Sequence, residues 1–397
     1  MGAGLVGLAS AWLLQRRGHA VLLLEPPPNS VPPSLAIPPG SERPSQADWL
    51  DQDRSPANSQ SRDISVRSGS AAALGLLMAQ VFQRGRGRGW RLRQRSLELW
   101  QQWRQELARR GAPIHWRPGL LLLAANAEER SRQELLVRQR RDKGLPLELW
   151  DAGRLLRLAP TLPRGVLGAL HSPEDGQLDP GQALAALRGD GLAAGLRCLQ
   201  SRVEAVRAAE GCGGGRWQVR LQDGQALESD WLVLAAGLAS ADLLRPLGIE
   251  RPLDPVLGQA LELELAEPAA WQGWPGVVTW KGLHLVPRPD QAGGRRLWLG
   301  ATVEPGTDPD AAAFRQLRRL AGDAPDWLAR AELRQHWLGV RARPRDRPAP
   351  LLEQPRPGLL LATGHNRNGV LLAPVSAEWV LSQVEERDDP PGWTPAS

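Results

Sequence analysis

The sequence predicts an α/β fold with a doubly wound parallel sheet, and three stretches carry the prediction. The chain opens on a glycine-rich turn that runs into an apolar helical pattern, Gly2-Ala-Gly4-Leu-Val-Gly7 and on to Leu14. Trp231 to Gly237 is an apolar run ending in a glycine turn, the reading of a parallel strand buried on both faces. Leu359 to Pro374 reads as a strand, a second glycine turn and a helix.

In the opening motif Gly2 allows the tight turn, Gly4 lets the backbone approach a pyrophosphate, and Gly7 lets the helix pack closely on its sheet. The N–H groups at that helix start, backed by the positive end of the helix dipole, can hold phosphates. Leu5, Leu8, Ala11, Trp12 and Leu14 follow helical spacing, and Gly18 suits the position just past a helix end. Val21 to Leu24 is a short buried strand. Glu25, 21 positions after Gly4, stands where an acid accepts hydrogen bonds from a ribose hydroxyl. The whole pattern is Rossmann-like and implies a bound adenine dinucleotide.

In this fold a central first strand feeds the glycine turn, and here only Met1 precedes it. The expectation is a start site assigned too late, as a valine codon doubling as a start codon would produce. If instead the first strand is missing from the chain, the cofactor site should be looser than its motif suggests.

Residues 26–61 are rich in Pro, Ser, Asn and Asp and are expected to form a mobile surface insertion. Ser68 to Ala79 is small and apolar, which suits close approach to a planar ring or phosphate, and equally a helix packed on a sheet. Residues 91–110 and 127–142 carry helical patterns with charged outer faces, and Leu120 to Ala124 between them is a strand. Arg202 to Val206 and Arg216 to Arg220 are strands separated by a glycine-rich turn. Further strands are expected at Leu261 to Leu265, entered through Val256 to Gln259, and at Leu297 to Ala301. Ala312 to Leu320 is helical, and Trp337 to Arg341 begins a new block.

At 397 residues the chain exceeds one compact core, so two domains are expected. The net charge of +6 invites a nucleic-acid reading, with Arg84, Arg86, Arg88, Arg91, Arg93 and Arg95 as the densest basic run. Only Trp90 is interleaved there, so the run reads as a solvated turn entering a helix and no nucleic-acid partner is expected. Lys143 and Lys281 are the only lysines and tyrosine is absent, a bias that a GC-rich genome explains. Cys198, Cys212 and six scattered histidines show no ligand spacing, so neither a metal nor a disulfide is expected. The sequence shows no signal peptide and no apolar run of membrane-spanning length, so a cytoplasmic protein is the expectation.

Taken in order, these blocks resemble the D-amino-acid-oxidase-like FAD-dependent oxidoreductases, and most closely the glycine oxidase branch of thiamine biosynthesis. The match is carried by the opening fingerprint with Glu25, Ser68 to Leu76, Asp179-Pro180, Ala235 to Gly237, Gly258-Gln259 and Leu285 to Arg288. It continues through Gly300 to Thr302, Trp337-x-Gly339-x-Arg341 and Thr363 to Pro374. The resemblance implies FAD as cofactor and a small amino acid as substrate. It places Gly2, Gly4, Leu5, Val6, Gly7, Glu25, Ser68, Gly69, Gly75 and Leu76 on the dinucleotide part of FAD, with Gly237 in the same site. Val203 would meet the adenine through its backbone, and His365, Asn366, Arg367, Asn368, Gly369, Val370 and Leu371 would lie along the flavin.

The same resemblance gives Arg341 and Arg367 the substrate carboxylate, a role that a guanidinium fork performs bidentately. His284 stands where the family has a tyrosine, a second carboxylate partner, and would be smaller and pH-sensitive. Asn366 replaces an aromatic residue and makes the pocket wall more polar. The implied fold joins the FAD-binding domain (1–80, 170–250, 340–397) to a discontinuous α+β substrate domain built on an antiparallel sheet (81–169, 251–339).

The implied reaction is oxidation of glycine or another small amino acid, with hydride passing to flavin and O2 giving imine and hydrogen peroxide. Two alternatives stay open: a quinone-linked D-amino-acid dehydrogenase, and a flavin-binding protein that has lost catalysis. A homo-oligomer and a functional link to the thiazole-forming enzyme are compatible partners.

Overall fold

A computed structural model of the chain describes residues 1–27, 64–209 and 215–386. The expected insertion at 26–61 falls almost wholly outside these, as do Cys212 and most of the expected glycine-rich turn.

The first helix runs Leu5–Arg16, and Gly18 follows it with φ +92°. The strand Leu22–Glu25 pairs in parallel with Arg197–Gln200. A second set places Leu232–Leu234 parallel to Leu359–Thr363, with Leu351–Arg356 antiparallel at the edge. These two small sheets meet across Met1 and Gly2: the Met1 amino group donates to the Val233 carbonyl at 2.8 Å, Ala235 N–H to the Met1 carbonyl at 2.9 Å, and Gly2 N–H to the Leu24 carbonyl at 2.9 Å. Met1 and Gly2 thus lie where the expected central strand would run. Helices Leu5–Arg16, Arg88–Arg109 and Gly369–Val384 share one core, where Trp12, Trp100 and Trp103 meet edge to face.

The C-terminal helix contains Pro374, which supplies no N–H to the Val370 carbonyl four residues back. Trp100 Nε1–H fills that gap at 2.9 Å, and Ser96 Oγ–H bonds the Leu371 carbonyl at 2.5 Å. The proline is tolerated because a neighbouring helix satisfies the backbone it leaves open.

The second structural body is an 11-stranded, mainly antiparallel sheet. Its centre is Glu332–Pro344, Leu253–Glu264, Arg296–Gly300, Leu283–Arg288, Val277–Trp280, Trp116–Ala124 and Gly168–Leu178, in that spatial order. Alternation sends Leu261, Leu263, Leu285, Leu297 and Leu299 to one face, where they pack on Phe314, Leu317 and Leu328. The opposite face carries Ala260, Val286 and Trp337 and packs on Leu74. That face carries the site.

Of the readings open for Ser68 to Ala79, the chain takes a turn followed by the two-residue strand Leu76–Leu77 rather than a helix, because Gly75 takes φ +80° and the chain then pairs with Gln177 and Gly176. One expectation is corrected. The basic run does form a turn entering the helix Arg88–Arg109, but it is not simply solvated. Arg88 bonds the Pro350 carbonyl, Arg93 stacks on Phe82, and Arg95 pairs with Glu378. Among the described residues no helix is long and apolar enough to cross a membrane, and no group of three or more acidic, histidine or cysteine side chains could hold a metal.

Candidate active site

The glycine turn is built by close contact. A Cβ on Gly2, which has φ +95°, would come 2.4 Å from the Ala235 carbonyl oxygen, and one on Gly7 1.9 Å from that of Gly2. Gly4 is the N-cap of the first helix and offers no side-chain cap, so the helix start keeps donors for a ligand. Leu5 N–H is the exception: it donates to Ser70 Oγ at 2.8 Å. Ser70 was not expected at the site. Val6, half-buried, begins the same helix turn.

Glu25 ends its strand with a largely buried carboxylate, gripped by both terminal nitrogens of Arg188. Arg188, on the helix Pro180–Ala193, gave no sequence signal. A carboxylate has about four acceptor positions, so this fork leaves room for a ribose hydroxyl. Val203, half-buried, packs on the same apolar cluster as Met1 and Leu22.

The turn Ser68–Ala72 joins the two bodies. A Cβ on Gly69 would lie 3.2 Å from the Val340 carbonyl oxygen, and one on Gly339 would lie 2.2 Å from Ala72 Cβ. Trp337 Nε1–H donates to the Ala72 carbonyl at 2.9 Å. Gly75 and Leu76 are explained by packing, since a Cβ on Gly75 would lie 1.8 Å from the Leu178 carbonyl oxygen.

At the other glycine turn, Gly237 takes φ +60° and its carbonyl accepts from Thr363 Oγ. His365 turns its imidazole inward to Ser376 Oγ at 2.8 Å, and burial, with the Arg88 charge, pushes it down to about 3. Its Nε2 is thereby committed to Ser376. Val370 and Leu371 send their side chains into the helix core. The Gly369–Val384 helix starts at Asn368, without a side-chain cap, and provides a second set of backbone donors. Asn366 takes φ +51°, the left-handed region that asparagine tolerates far better than an aromatic residue would.

Arg341, Arg367 and His284 come close enough to feel one another's charge. Arg341 Nη1 donates to the Leu257 and Thr302 carbonyls at 3.0 and 3.1 Å. Its guanidinium lies across Gly258, where a Cβ would be 2.3 Å from Nη2. Burial, then the Arg367 charge, pushes Arg341 down to about 10, while Glu304 acts the other way. Protonated at neutral pH, it forms with Arg367 a pair of neighbouring cations. Neither makes a salt bridge among the described residues. His284 Nδ1 meets Thr279 Oγ at 2.9 Å, leaving Nε2 for a ligand. Burial and the charges of Arg367 and Arg341 push His284 down to about 3, so it stays neutral across the physiological range. The expected pH sensitivity of His284 is thereby corrected.

Two uncapped helix starts, a glycine cradle and a strand-end carboxylate suit a dinucleotide. The cation pair suits a small carboxylate beside it. Comparison with known proteins agrees with the first part: residues 61–383 match the family model "DAO: FAD dependent oxidoreductase". The glycine oxidase of Geobacillus kaustophilus (strain HTA426) is 31% identical over 276 residues, 68% of this chain and 70% of that protein. The crystal structure of glycine oxidase from Geobacillus kaustophilus superposes with TM-score 0.77 at 26% identity, covering 98% of this chain and 94% of the other. A bifunctional ThiO/ThiG protein of Synechocystis sp. (strain ATCC 27184 / PCC 6803 / Kazusa) is 31% identical over 57% of this chain and 33% of its own length.

Proposed function

The chain belongs to the DAO family of FAD-dependent oxidoreductases, and from that premise we propose that it oxidises glycine or another small amino acid. The observation that carries this reading is the pair of neighbouring cations Arg341, half-buried, and Arg367, exposed, neither of which makes a salt bridge among the described residues. An α-carboxylate is the anion of the right size. Held by Arg341 and Arg367, with His284 Nε2 able to donate a hydrogen bond, it would fix the α-carbon in one orientation. Orientation of this kind supplies much of the rate when the cofactor carries the redox chemistry.

FAD would be held along Gly2 to Gly7, Glu25, Ser68, Gly69 and the His365 to Leu371 turn, and would supply the two-electron acceptor for the α-hydrogen. Overall, the amino acid would leave as the imine and O2 would take the two electrons and two protons as hydrogen peroxide. The substrate amine enters neutral, so no general base is assigned. The FAD-binding segments 1–80, 170–250 and 340–397 and the substrate segments 81–169 and 251–339 are part of this proposal. So is a role in supplying the thiazole-forming enzyme, which the similarity to a ThiO/ThiG protein supports. The test is stoichiometry: one hydrogen peroxide per glycine consumed in air supports the oxidase. Glycine consumption that needs a quinone, without peroxide, would replace it with the dehydrogenase.

A further inference from the structure

Behind Arg341 lies a buried polar network that the reaction above does not use. Glu304, 7% exposed, accepts from Thr302 Oγ–H, from Gln259 Nε2–H on both oxygens at 3.1 Å, and from the Asp310 N–H at 2.7 Å. All its partners are donors, as an ionised carboxylate requires. Gln259 is fully buried; its amide oxygen meets His336 Nε2 at 2.9 Å, and its N–H donates to Thr302 Oγ at 2.7 Å. Gln259 and Thr302 flank the seat of Arg341, whose Nη1 rests on the carbonyls of Leu257 and Thr302. Thr302 is therefore gripped from both sides, by Glu304 at its hydroxyl and by Arg341 at its carbonyl.

We propose that Glu304 is a positioning residue of the carboxylate site: it fixes the Gln259–Thr302 seat and supplies the buried counter-charge that holds the Arg341 guanidinium beside Arg367. This rests on the reading of Arg341 as the carboxylate clamp. The physical need is plain. Two neighbouring guanidiniums, one half-buried and one exposed, repel each other, and a nearby fixed anion offsets that repulsion without occupying the substrate position. Glu304 meets this need through one intervening residue, so it does not compete with the substrate for Arg341.

The experiment measures binding of glycolate, which has glycine's carboxylate and no amine, to FAD-loaded protein through the shift of the flavin band. Wild type, R341A, E304Q and E304D are compared from about pH 7 to about pH 10. Removing the charge in E304Q should weaken glycolate about tenfold at pH 8. It should also bring the alkaline loss of binding to lower pH by roughly one unit. E304D, which keeps the charge, should follow the wild-type pH profile even if its affinity falls. An E304Q profile that overlays wild type overturns the proposal. If E304Q does not fold, E304D decides alone: a profile matching wild type supports the proposal, and one displaced to lower pH overturns it. Failure of the clamp reading looks different, because wild type and R341A would then bind glycolate equally.

Discussion

The chemistry is decided at single residues. Arg341 is useful because it is held: half-buried, its Nη1 rests on two carbonyls and its guanidinium is kept beside Arg367. Arg341→Ala removes one arm of a charge-assisted pair and should cost roughly 2–5 kcal/mol of substrate binding. Steady-state kinetics should show KM for glycine raised at least tenfold, with any turnover that persists showing that the flavin is intact. An unchanged KM would remove Arg341 from the site. Sequence reasoning reached Arg341 and Arg367 because each sits in a matched block, and His284 because it departs from the family just before one, yet it misjudged the titration of His284. Titration depends on burial and on the two facing guanidiniums, neither of which a tyrosine-to-histidine change reveals. Ser70, Arg188 and Glu304 went unseen for a related reason: each acts through a partner 65, 163 or 45 positions away.

At the scale of elements, local rules served well where one stretch determined its own structure. The first helix, the helix Ala127–Arg141 and the strand Leu359–Thr363 all fall where periodicity and glycine punctuation put them. They could not choose at Ser68 to Ala79, whose small residues permit either form and whose turn is imposed by Leu5, Val340 and Leu178. The C-terminal helix is a case of tertiary rescue, since Pro374 would leave the Val370 carbonyl open without Trp100. Trp100→Phe keeps an aromatic ring but loses that donor and part of the buried indole's volume. It should destabilise the protein by about 1–3 kcal/mol, the cost of a buried carbonyl without a partner. If the flavin lies at this helix start as proposed, FAD should also dissociate faster. Thermal unfolding and flavin release in dilution report the two effects separately, and a variant indistinguishable from wild type in both would refute this account of the proline.

At the scale of the molecule, three buried histidines make the fold acid-labile. His284 and His365 are held at about 3 and His336 at about 4, each chiefly by burial. In the unfolded chain a histidine takes up its proton near pH 6.5. Between that value and about pH 3–4 the unfolded state therefore binds protons that the native state refuses. The stability these groups allow is fully present above pH 6.5 and is lost as pH falls. Asp175, raised to about 6 by burial, acts in the opposite sense, since the native state is the one protonated between about pH 6 and the ordinary carboxylate range. One group against three does not reverse the trend. The buried Met1 amino group, held at about 5, acts in the same sense as the histidines and from higher pH, so the unfolding temperature should begin to fall below pH 8 and fall more steeply from pH 6.5 to 4. A level profile down to pH 4 would mean that the histidines are solvated.

All of these effects converge on one claim, that a bound flavin and the Arg341–Arg367 pair together make an amino-acid-oxidising site. The most direct measurement is the visible spectrum of the purified protein, recorded without oxygen before and after adding glycine. The account predicts a flavin band in wild type that bleaches with glycine, and a band in the Arg341→Ala variant that survives the same concentration. A wild-type band that glycine and other small amino acids leave untouched would contradict the proposed reaction, and a colourless protein would contradict the site itself.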